Sequence, residues 1–180
     1  MKPGELEAIV GGYHGDPFSI LGPHQDAKGW VVRALLPQAS LAAVRLEDDS
    51  LVAMERVQNT ALHEARLDAD PGAYRLQLKL QRGGDQVLED PYRFPPQLTA
   101  FDIHLHGEGT NYESWRSMGA HLVVVDGVPG VRFAVWAPNA EMVGVAGNFN
   151  QWDPHRHPMR RRDGGIWELF VPGLRARDRS

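Results

Sequence analysis

Cysteine is absent from the 180 residues of this sequence. A disulfide framework, a thiolate nucleophile and a cysteine-ligated metal site are therefore excluded. Small secreted domains often depend on disulfides, so the lack of cysteine favours a cytoplasmic location. A signal peptide is not indicated either, because only a few apolar residues precede Gly11 and Gly12. No apolar run approaches the roughly 20 residues that a membrane-spanning helix needs, so no membrane partner is predicted.

An excess of positive charge is also lacking, since the net charge is −4 and the pI is near 6.0. General nucleic-acid binders are usually basic, so nucleic acid is not expected as a partner. The one basic cluster, residues 160–162, is followed at once by Asp163 and is interpreted as a solvated turn. Hydrophobic residues make up 42% of the chain, which is enough for an ordinary globular core.

Short apolar or alternating runs, separated by turn residues, dominate the sequence. Trp30–Leu36 is largely apolar and stops at a proline. Tyr74–Leu80 alternates between apolar and polar side chains, as a half-buried strand does. Turn residues such as Asp70-Pro71-Gly72 separate these runs. Strands at this spacing predict an all-β sandwich or barrel.

The second half of the chain repeats the first, with the matching prolines 101 residues apart. The matched residues are Gly29 with Gly130, Pro37 with Pro138, Ala39 with Ala140, Val44 with Val145, Leu21–His24 with Met118–His121, and Gly72–Leu76 with Gly165–Leu169. These matches form three blocks, one around the prolines, one upstream of them and one downstream. Because the blocks keep the same order in both halves, they indicate two related domains in tandem. The predicted fold class is therefore all-β, with two tandem immunoglobulin-like β-sandwiches.

Prolines and glycines between the two repeats suggest the domain boundaries. The first sandwich is assigned to residues 1–95, a linker to residues 96–114 and the second sandwich to residues 115–180, because Pro95-Pro96 cannot continue a strand ladder. A helical turn is expected over Tyr112–Met118. The second repeat has no counterpart of the last strands of the first. This difference predicts a second sandwich truncated at its C-terminal end, in a fragment of a longer protein.

Histidine and carboxylate pairs give little support for a metal or catalytic site. His104 with His106, and His155 with His157, are spaced so that both rings would share one face of an extended strand. A metal site also needs a third ligand and partners for the ligands, so surface hydrogen bonding is preferred and no metal is predicted. The adjacent carboxylates of Glu89-Asp90 would point to opposite faces of a strand and form no acid/base pair. No cofactor is predicted.

Two long phrases in the second repeat resemble a known carbohydrate-binding module. They are residues 132–152, with Phe149-Asn150-Gln151-Trp152 at their end, and residues 165–173. They resemble the glycogen-binding β-sandwich that precedes the catalytic barrel in branching and debranching enzymes of the α-amylase superfamily. In the first repeat, Gly15–Gly22, Val32–Pro37 and Asp90–Phe94 look like the additional N-terminal domain of bacterial glycogen (1,4-α-glucan) branching enzymes. The resemblance runs collinearly to about residue 174.

The resemblance implies a reaction for the full-length enzymes. These transferases of glycogen biosynthesis cut an α-1,4-glucan chain and rejoin the segment through an α-1,6 link by a retaining double displacement. Their catalytic carboxylates lie in a (β/α)₈ barrel of about 250 residues. No such barrel fits after residue 174, and none of the family's catalytic motifs occurs, so no catalytic residue is assigned. The chain is expected to bind glycogen or another α-1,4-glucan and to contact the missing barrel. The alternatives are a stand-alone glycogen-targeting module and a small independent hydrolase.

Trp152 is the predicted glucan contact, with Asn148 and Asn150 beside it in a polar loop. Sugar rings stack their C–H faces on exposed indoles, and their hydroxyl groups need polar neighbours. In the related modules, the tryptophan of this phrase stacks on a glucose ring. The structural alternative is that Trp152 caps its own sheet. Trp136, by contrast, lies in an apolar strand phrase and is expected to pack in the core.

Overall fold

A computed structural model describes residues 1–107, 118–150, 153 and 156–175 of the chain. These residues form three antiparallel β-sheets of four strands each and two α-helices, α1 (Glu5–Gly11) and α2 (Ala100–Gly107). The predicted all-β class is confirmed. Neither described helix is long and apolar enough to cross a membrane.

The chain divides into two compact units. Unit 1 comprises residues 1–11 and 18–93, and unit 2 comprises residues 12–17 and 94–180. The strands of unit 1 are β1 (Gly22–Asp26), β2 (Gly29–Leu35), β3 (Ala39–Arg45), β4 (Leu51–Ala53), β5 (Glu55–Arg56), β6 (Leu62–Leu67), β7 (Arg75–Leu80) and β8 (Asp85–Glu89). They form two sheets, with strand orders β1-β2-β6-β5 and β4-β3-β7-β8.

The core of unit 1 joins its two sheets. Val32 and Ala34 of the first sheet cluster with Val44, Leu76 and Leu78 of the second, and all five are buried. In β7 the buried side chains of Leu76 and Leu78 alternate with more exposed polar ones, which is the half-buried pattern that the sequence predicts. Unit 1 is therefore a β-sandwich, as expected for the first repeat.

A buried polar pair lies at the end of unit 1. Asp90 is 1% exposed, and its Oδ2 accepts a hydrogen bond from the Tyr74 hydroxyl at 2.5 Å. Its Oδ1 accepts a second bond from the Tyr92 amide at 3.0 Å, which fixes the start of the 3-10 turn Pro91–Arg93. Burial raises the pKa of Asp90 to about 6, against the lowering effect of both hydrogen bonds. The phrase around Asp90 therefore has a structural role, closing the sandwich.

Unit 2 contains one four-stranded sheet among its described residues. Its strands are β9 (Gly119–Val125), β10 (Val128–Trp136), β11 (Arg160–Arg161) and β12 (Ile166–Pro172), in the order β9-β10-β12-β11. Strand β12 is buried along nearly all of its length. Leu98 and Ile103, from the segment that includes α2, cluster with Ala134 and Ile166 of the sheet. The described part of the predicted linker thus packs on unit 2. Of the helical turn predicted over Tyr112–Met118, all but Met118 lies outside the described residues.

A buried ion pair ties residues 97 and 98 to this sheet. Glu168 is 2% exposed, and its Oε2 accepts hydrogen bonds from the amides of Gln97 and Leu98, each at 3.0 Å. Its other oxygen pairs with Arg162, whose guanidinium also donates to the Leu98 carbonyl at 2.7 Å. The interpretation of residues 160–162 as a solvated turn is therefore wrong. Burying a carboxylate is costly unless it is hydrogen-bonded and paired, and Arg162 supplies the opposite charge.

The internal repeat is confirmed in the strand topology. The order β1-β2-β6-β5 of unit 1 corresponds strand for strand to β9-β10-β12-β11 of unit 2. Equivalent contacts recur at the start of each sheet. The Nε2 atom of His24 lies 3.0 Å from the Leu21 carbonyl, and that of His121 lies 2.7 Å from the Met118 carbonyl. The first matched block of the sequence therefore has the same local structure in both units.

One of the matched blocks, however, is wrong. Residues 72–76 lead into β7, which lies in the second sheet of unit 1. Residues 165–169 lead into β12, whose counterpart by strand order is β6. Both segments show a glycine followed by an aromatic and an apolar residue. That pattern is typical of a turn that leads into a buried strand. It therefore does not identify which of the two sheets of a sandwich the strand joins.

A second sheet in unit 2 is reduced, within the described ranges, to an isolated bridge between Gly144 and Pro158. This bridge occupies the place of the β3–β4 ladder of unit 1. On the face of β9 and β10 that also carries the buried Val131, the side chains of Leu122, Val124 and Val135 are exposed. The truncation of the second sandwich stays a prediction.

Candidate functional site

The loop that carries the predicted glucan contacts joins the two segments of that bridge. It follows Val145, whose amide donates a hydrogen bond to the His157 carbonyl at 2.9 Å. This bond joins the two segments that flank residues 146–156, and a 3-10 turn forms at Asn148–Asn150. Trp152, the residue predicted to stack on glucan, lies outside the described residues.

Asn150 is fully buried and organises this loop. Its Oδ1 accepts a hydrogen bond from the Gly147 amide at 2.9 Å. Its Nδ2 donates to the Val145 carbonyl at 2.7 Å and to Nδ1 of His157 at 3.0 Å. The backbone carbonyl of Asn150 accepts a bond from the Asp153 amide at 3.1 Å. Because the polar atoms of this side chain are engaged inside the loop, a role of Asn150 in glucan binding would be indirect, through the shape of the loop.

Asn148 and Phe149 occupy different environments within the same turn. Asn148 is exposed, whereas Phe149 packs edge to face against the imidazole of His157, with ring centroids 5.3 Å apart. The aromatic contact anchors the turn, and the amide of Asn148 lies at the loop surface. Its role as a glucan contact stays a prediction.

His157 is held in its neutral form by this loop. Its Nδ1 accepts the bond from Asn150, so the ring proton lies on Nε2. Burial, aided by the charge of Arg156 and opposed by that of Asp153, lowers the pKa of His157 to about 4. Protonation would place a second N–H opposite the Asn150 amide and remove their hydrogen bond. The loop is therefore organised around an uncharged imidazole.

The free energy of unfolding of unit 2 is expected to fall as the pH decreases from about 6.5 to about 4. In that window the unfolded chain binds a proton at His157 and the folded chain does not, so the loss between neutral pH and about pH 4.5 is on the order of 2 kcal/mol. Urea unfolding of the wild type and of His157→Gln measures it by fluorescence, since four of the five tryptophans belong to unit 2. The same pH dependence in both proteins would contradict a neutral, half-buried imidazole.

Trp136 is exposed, contrary to the expectation of core packing. Its side chain is 57% exposed at the end of β10, and its Nε1 donates to the Gly164 carbonyl at 3.1 Å. The ring lies edge to face with the imidazole of His106, with centroids 5.8 Å apart. Trp167 on the neighbouring strand is 1% exposed and contributes to the core instead. Trp136 is therefore an exposed aromatic residue, and the sequence pattern did not distinguish it from a buried one such as Trp167.

His104 and His106 lie in helix α2, not in an extended segment. Two residues apart on a helix, side chains point to different faces, so this pair does not have the arrangement expected from its spacing. In the second pair, His155 lies outside the described residues. Within the ranges that the structure describes, no three His, Asp or Glu side chains come together as metal ligands would.

Two family models match the chain in tandem. The model for the alpha-1,4-glucan branching enzyme GlgB N-terminal domain matches residues 2–92, which is just over half of the chain. The model for carbohydrate-binding module 48, described as the isoamylase N-terminal domain, matches residues 117–179. The loop at residues 146–156 and Trp136 both fall within the second match.

Curated relatives align with nearly the whole chain. The 1,4-alpha-glucan branching enzymes GlgB of Paramagnetospirillum magneticum, Rubrobacter xylanophilus and Rhodopseudomonas palustris strain HaA2 are 47%, 48% and 49% identical over 97%, 94% and 95% of it. The alignments cover 23%, 23% and 24% of these relatives, so the chain spans about a quarter of their length. A solved pullulanase from Anoxybacillus sp. LM18-11, complexed with maltotriose, covers 83% of this chain at 15% identity with a TM-score of 0.25, too weak a similarity to support an inference.

Proposed function

The chain belongs to the family of the alpha-1,4-glucan branching enzyme GlgB N-terminal domain, and from this membership we propose that it is the non-catalytic, glucan-binding N-terminal region of a glycogen branching enzyme. The observation that carries the proposal is the tandem match of the GlgB N-terminal domain and carbohydrate-binding module 48, in that order. The family resemblance stated from the sequence phrases is confirmed. A stand-alone glycogen-targeting module is less favoured, because the matched relatives are branching enzymes of about four times this length.

In this proposal the branching reaction belongs to the part of the relatives that lies outside the span of this chain. Branching by retention needs a nucleophilic carboxylate and an acid/base carboxyl group, which TIM-barrel enzymes present at the ends of barrel strands. The two sandwich domains, at residues 1–95 and 115–180 with a linker at 96–114, would orient glucan and brace such a barrel. The protein would act in the cytoplasm on glycogen or another α-1,4-glucan, without nucleic acid or a membrane.

In this proposal the glucan contact lies in the loop of residues 146–156. Trp152 would stack on a glucose ring, and the surface amide of Asn148 would meet a hydroxyl group. Asn150 and His157 support this role indirectly, because their hydrogen bond fixes the loop from inside. Fixing the turn at Asn148–Asn150 in this way reduces the conformational entropy that this turn would lose on binding.

Glycogen co-sedimentation of the 180-residue chain tests this proposal. The wild type is expected to sediment with glycogen, and Trp152→Ala is expected to bind at least about fivefold more weakly, since a stacked aromatic ring contributes about 1 kcal/mol. Tyr13→Ala serves as the control, because Tyr13 is 58% exposed and lies outside the loop. A branching assay on the same samples is expected to show no activity.

Three outcomes would count against the proposal. Failure of the wild type to bind glycogen or any soluble α-1,4-glucan would overturn the glucan-binding function. Branching activity in the purified chain would overturn its non-catalytic character. Equal binding by Trp152→Ala and the wild type would remove Trp152 from the site.

A further inference from the structure

Trp136 presents its ring to solvent in a fixed orientation. The side chain is 57% exposed, yet its one polar atom is already engaged, since Nε1 donates to the Gly164 carbonyl at 3.1 Å. The edge-to-face contact with His106 holds the ring from a second direction. What remains accessible is therefore the aromatic surface, which can offer a ligand stacking rather than a hydrogen bond.

The backbone that holds this indole is itself constrained. Gly165 has a φ of +79°, and a Cβ atom there would lie 2.5 Å from the Cα of Pro138. The Ala137 amide, next to Trp136, donates to the Gly165 carbonyl at 2.8 Å. Two adjoining turns are thus locked against each other beside the ring. Because the Trp136 ring and the turns beside it are already fixed, they lose little conformational entropy when a ligand binds.

Apart from Pro138 of the adjoining turn, the exposed groups near Trp136 that can be identified are polar. His106 touches the ring, Asp163 is exposed next to the carbonyl that holds it, and Asn139 is exposed three residues further along the chain. The exposed aliphatic side chains of Leu122 and Val124 lie elsewhere. Leu122 and Val124 pair with Val131 and Pro129 and share their face of the sheet, which is opposite to that of Trp136. A protein-docking surface would extend the apolar area around the ring, whereas a lone ring with a polar rim is typical of a sugar site.

We propose that Trp136 stacks on one glucose unit of an α-1,4-glucan and forms a second glucan contact of unit 2, in addition to the loop of residues 146–156. This contact rests on the proposed glucan-binding function and extends it to the end of β10, where the apolar sequence pattern predicts core packing instead. The C–H face of the sugar would lie on the indole. The hydroxyl groups at its edge would face His106 and Asp163.

Titration calorimetry of the full chain with maltoheptaose tests the contact. Trp136→Ala is expected to weaken binding about fivefold to tenfold through loss of stacking. Trp136→Phe keeps a flat ring but loses the bond to Gly164, and its affinity is expected to stay within about threefold of the wild type. Phe101→Ala is the matched control, because Phe101 is 66% exposed on α2 in the same unit, and it should bind as the wild type does.

The outcomes separate this contact from the general function. Unchanged affinity in Trp136→Ala, with weakened binding in Trp152→Ala, would overturn the second contact and leave glucan binding intact. An equal loss in Trp136→Phe and Trp136→Ala would assign the effect to the Gly164 bond and overturn stacking. A wild type that does not bind maltoheptaose or glycogen would overturn the proposed function and this contact with it.

Discussion

Replacing Glu168 by alanine is expected to lower the free energy of unfolding of unit 2 by about 3 to 5 kcal/mol. The buried carboxylate accepts bonds from the amides of Gln97 and Leu98 and pairs with Arg162. Its removal leaves two amides and a partly buried guanidinium without their partner, and each such group carries a desolvation cost. The segment that leads into α2 should detach from the sheet first, because these bonds hold it there.

Hydrogen exchange of the amides of residues 97–103 and of β12 would measure this loss. Their protection is expected to fall by about 150-fold to 5,000-fold in Glu168→Ala, which corresponds to that loss of free energy. The matched control is Glu64→Ala, since Glu64 occupies the corresponding position of β6 and pairs with Arg33 at 3.0 Å. The Glu64 side chain is 32% exposed, so its removal should cost only about 1 kcal/mol. Similar losses in the two variants would contradict a special role for the buried pair.

Replacing Gly22 by alanine is expected to destabilise unit 1 by about 3 kcal/mol or more. Gly22 has a φ of +87°, a conformation that costs an L-residue about 1–2 kcal/mol. An added Cβ would also lie 2.4 Å from the carbonyl oxygen of Tyr92, a backbone atom. The turn of Tyr92 is pinned by the buried Asp90, so it has little freedom to move away.

Gly83→Ala separates the two causes of this effect. Gly83 lies in the same unit with a φ of +90°, but nothing lies within 4 Å of a Cβ built there. This control should lose only the conformational part, about 1 kcal/mol. Hydrogen exchange of β2 and β6 in both variants gives the difference, which is the cost of the clash with Tyr92. Equal losses would mean that the turn at Tyr92 yields freely and would refute the steric argument.

Much of the fold was predictable because its strands carry local signals. The alternation in Tyr74–Leu80 correctly predicted a half-buried strand, since a period of two residues follows directly from strand geometry. The matched segments at Leu21–His24 and Met118–His121 correctly indicated a repeat, because each makes the same imidazole-to-carbonyl contact. The match of Gly72–Leu76 with Gly165–Leu169 was wrong, since a turn into a buried strand has the same sequence pattern in either sheet.

The candidate site was less predictable, because exposure depends on what covers each face. Strand periodicity shows that Val135 and Trp136 point to opposite faces, but it does not show which face is covered. The same limit applies to Arg162, whose partner Glu168 lies on a strand that only folding brings beside it. The phrase around Asn150 correctly predicted a loop, but the burial of Asn150 follows from bonds to Val145 and His157 that no local pattern encodes.

Because the two units share a strand order, equivalent loops and strand ends can be compared directly. Between the equivalent valines and their partners, unit 1 has seven residues, 45–51, whereas unit 2 has eleven, 146–156. At the end of the equivalent strand, unit 1 carries the part-buried Leu35 where unit 2 carries the exposed Trp136. If the halves arose by duplication, these are two of the places where they diverged while the strand order of the shared sheet stayed the same. Shortening the loop and replacing Trp136 by leucine would then give the second half the loop length and the strand end of the first, and would remove both of its proposed glucan contacts.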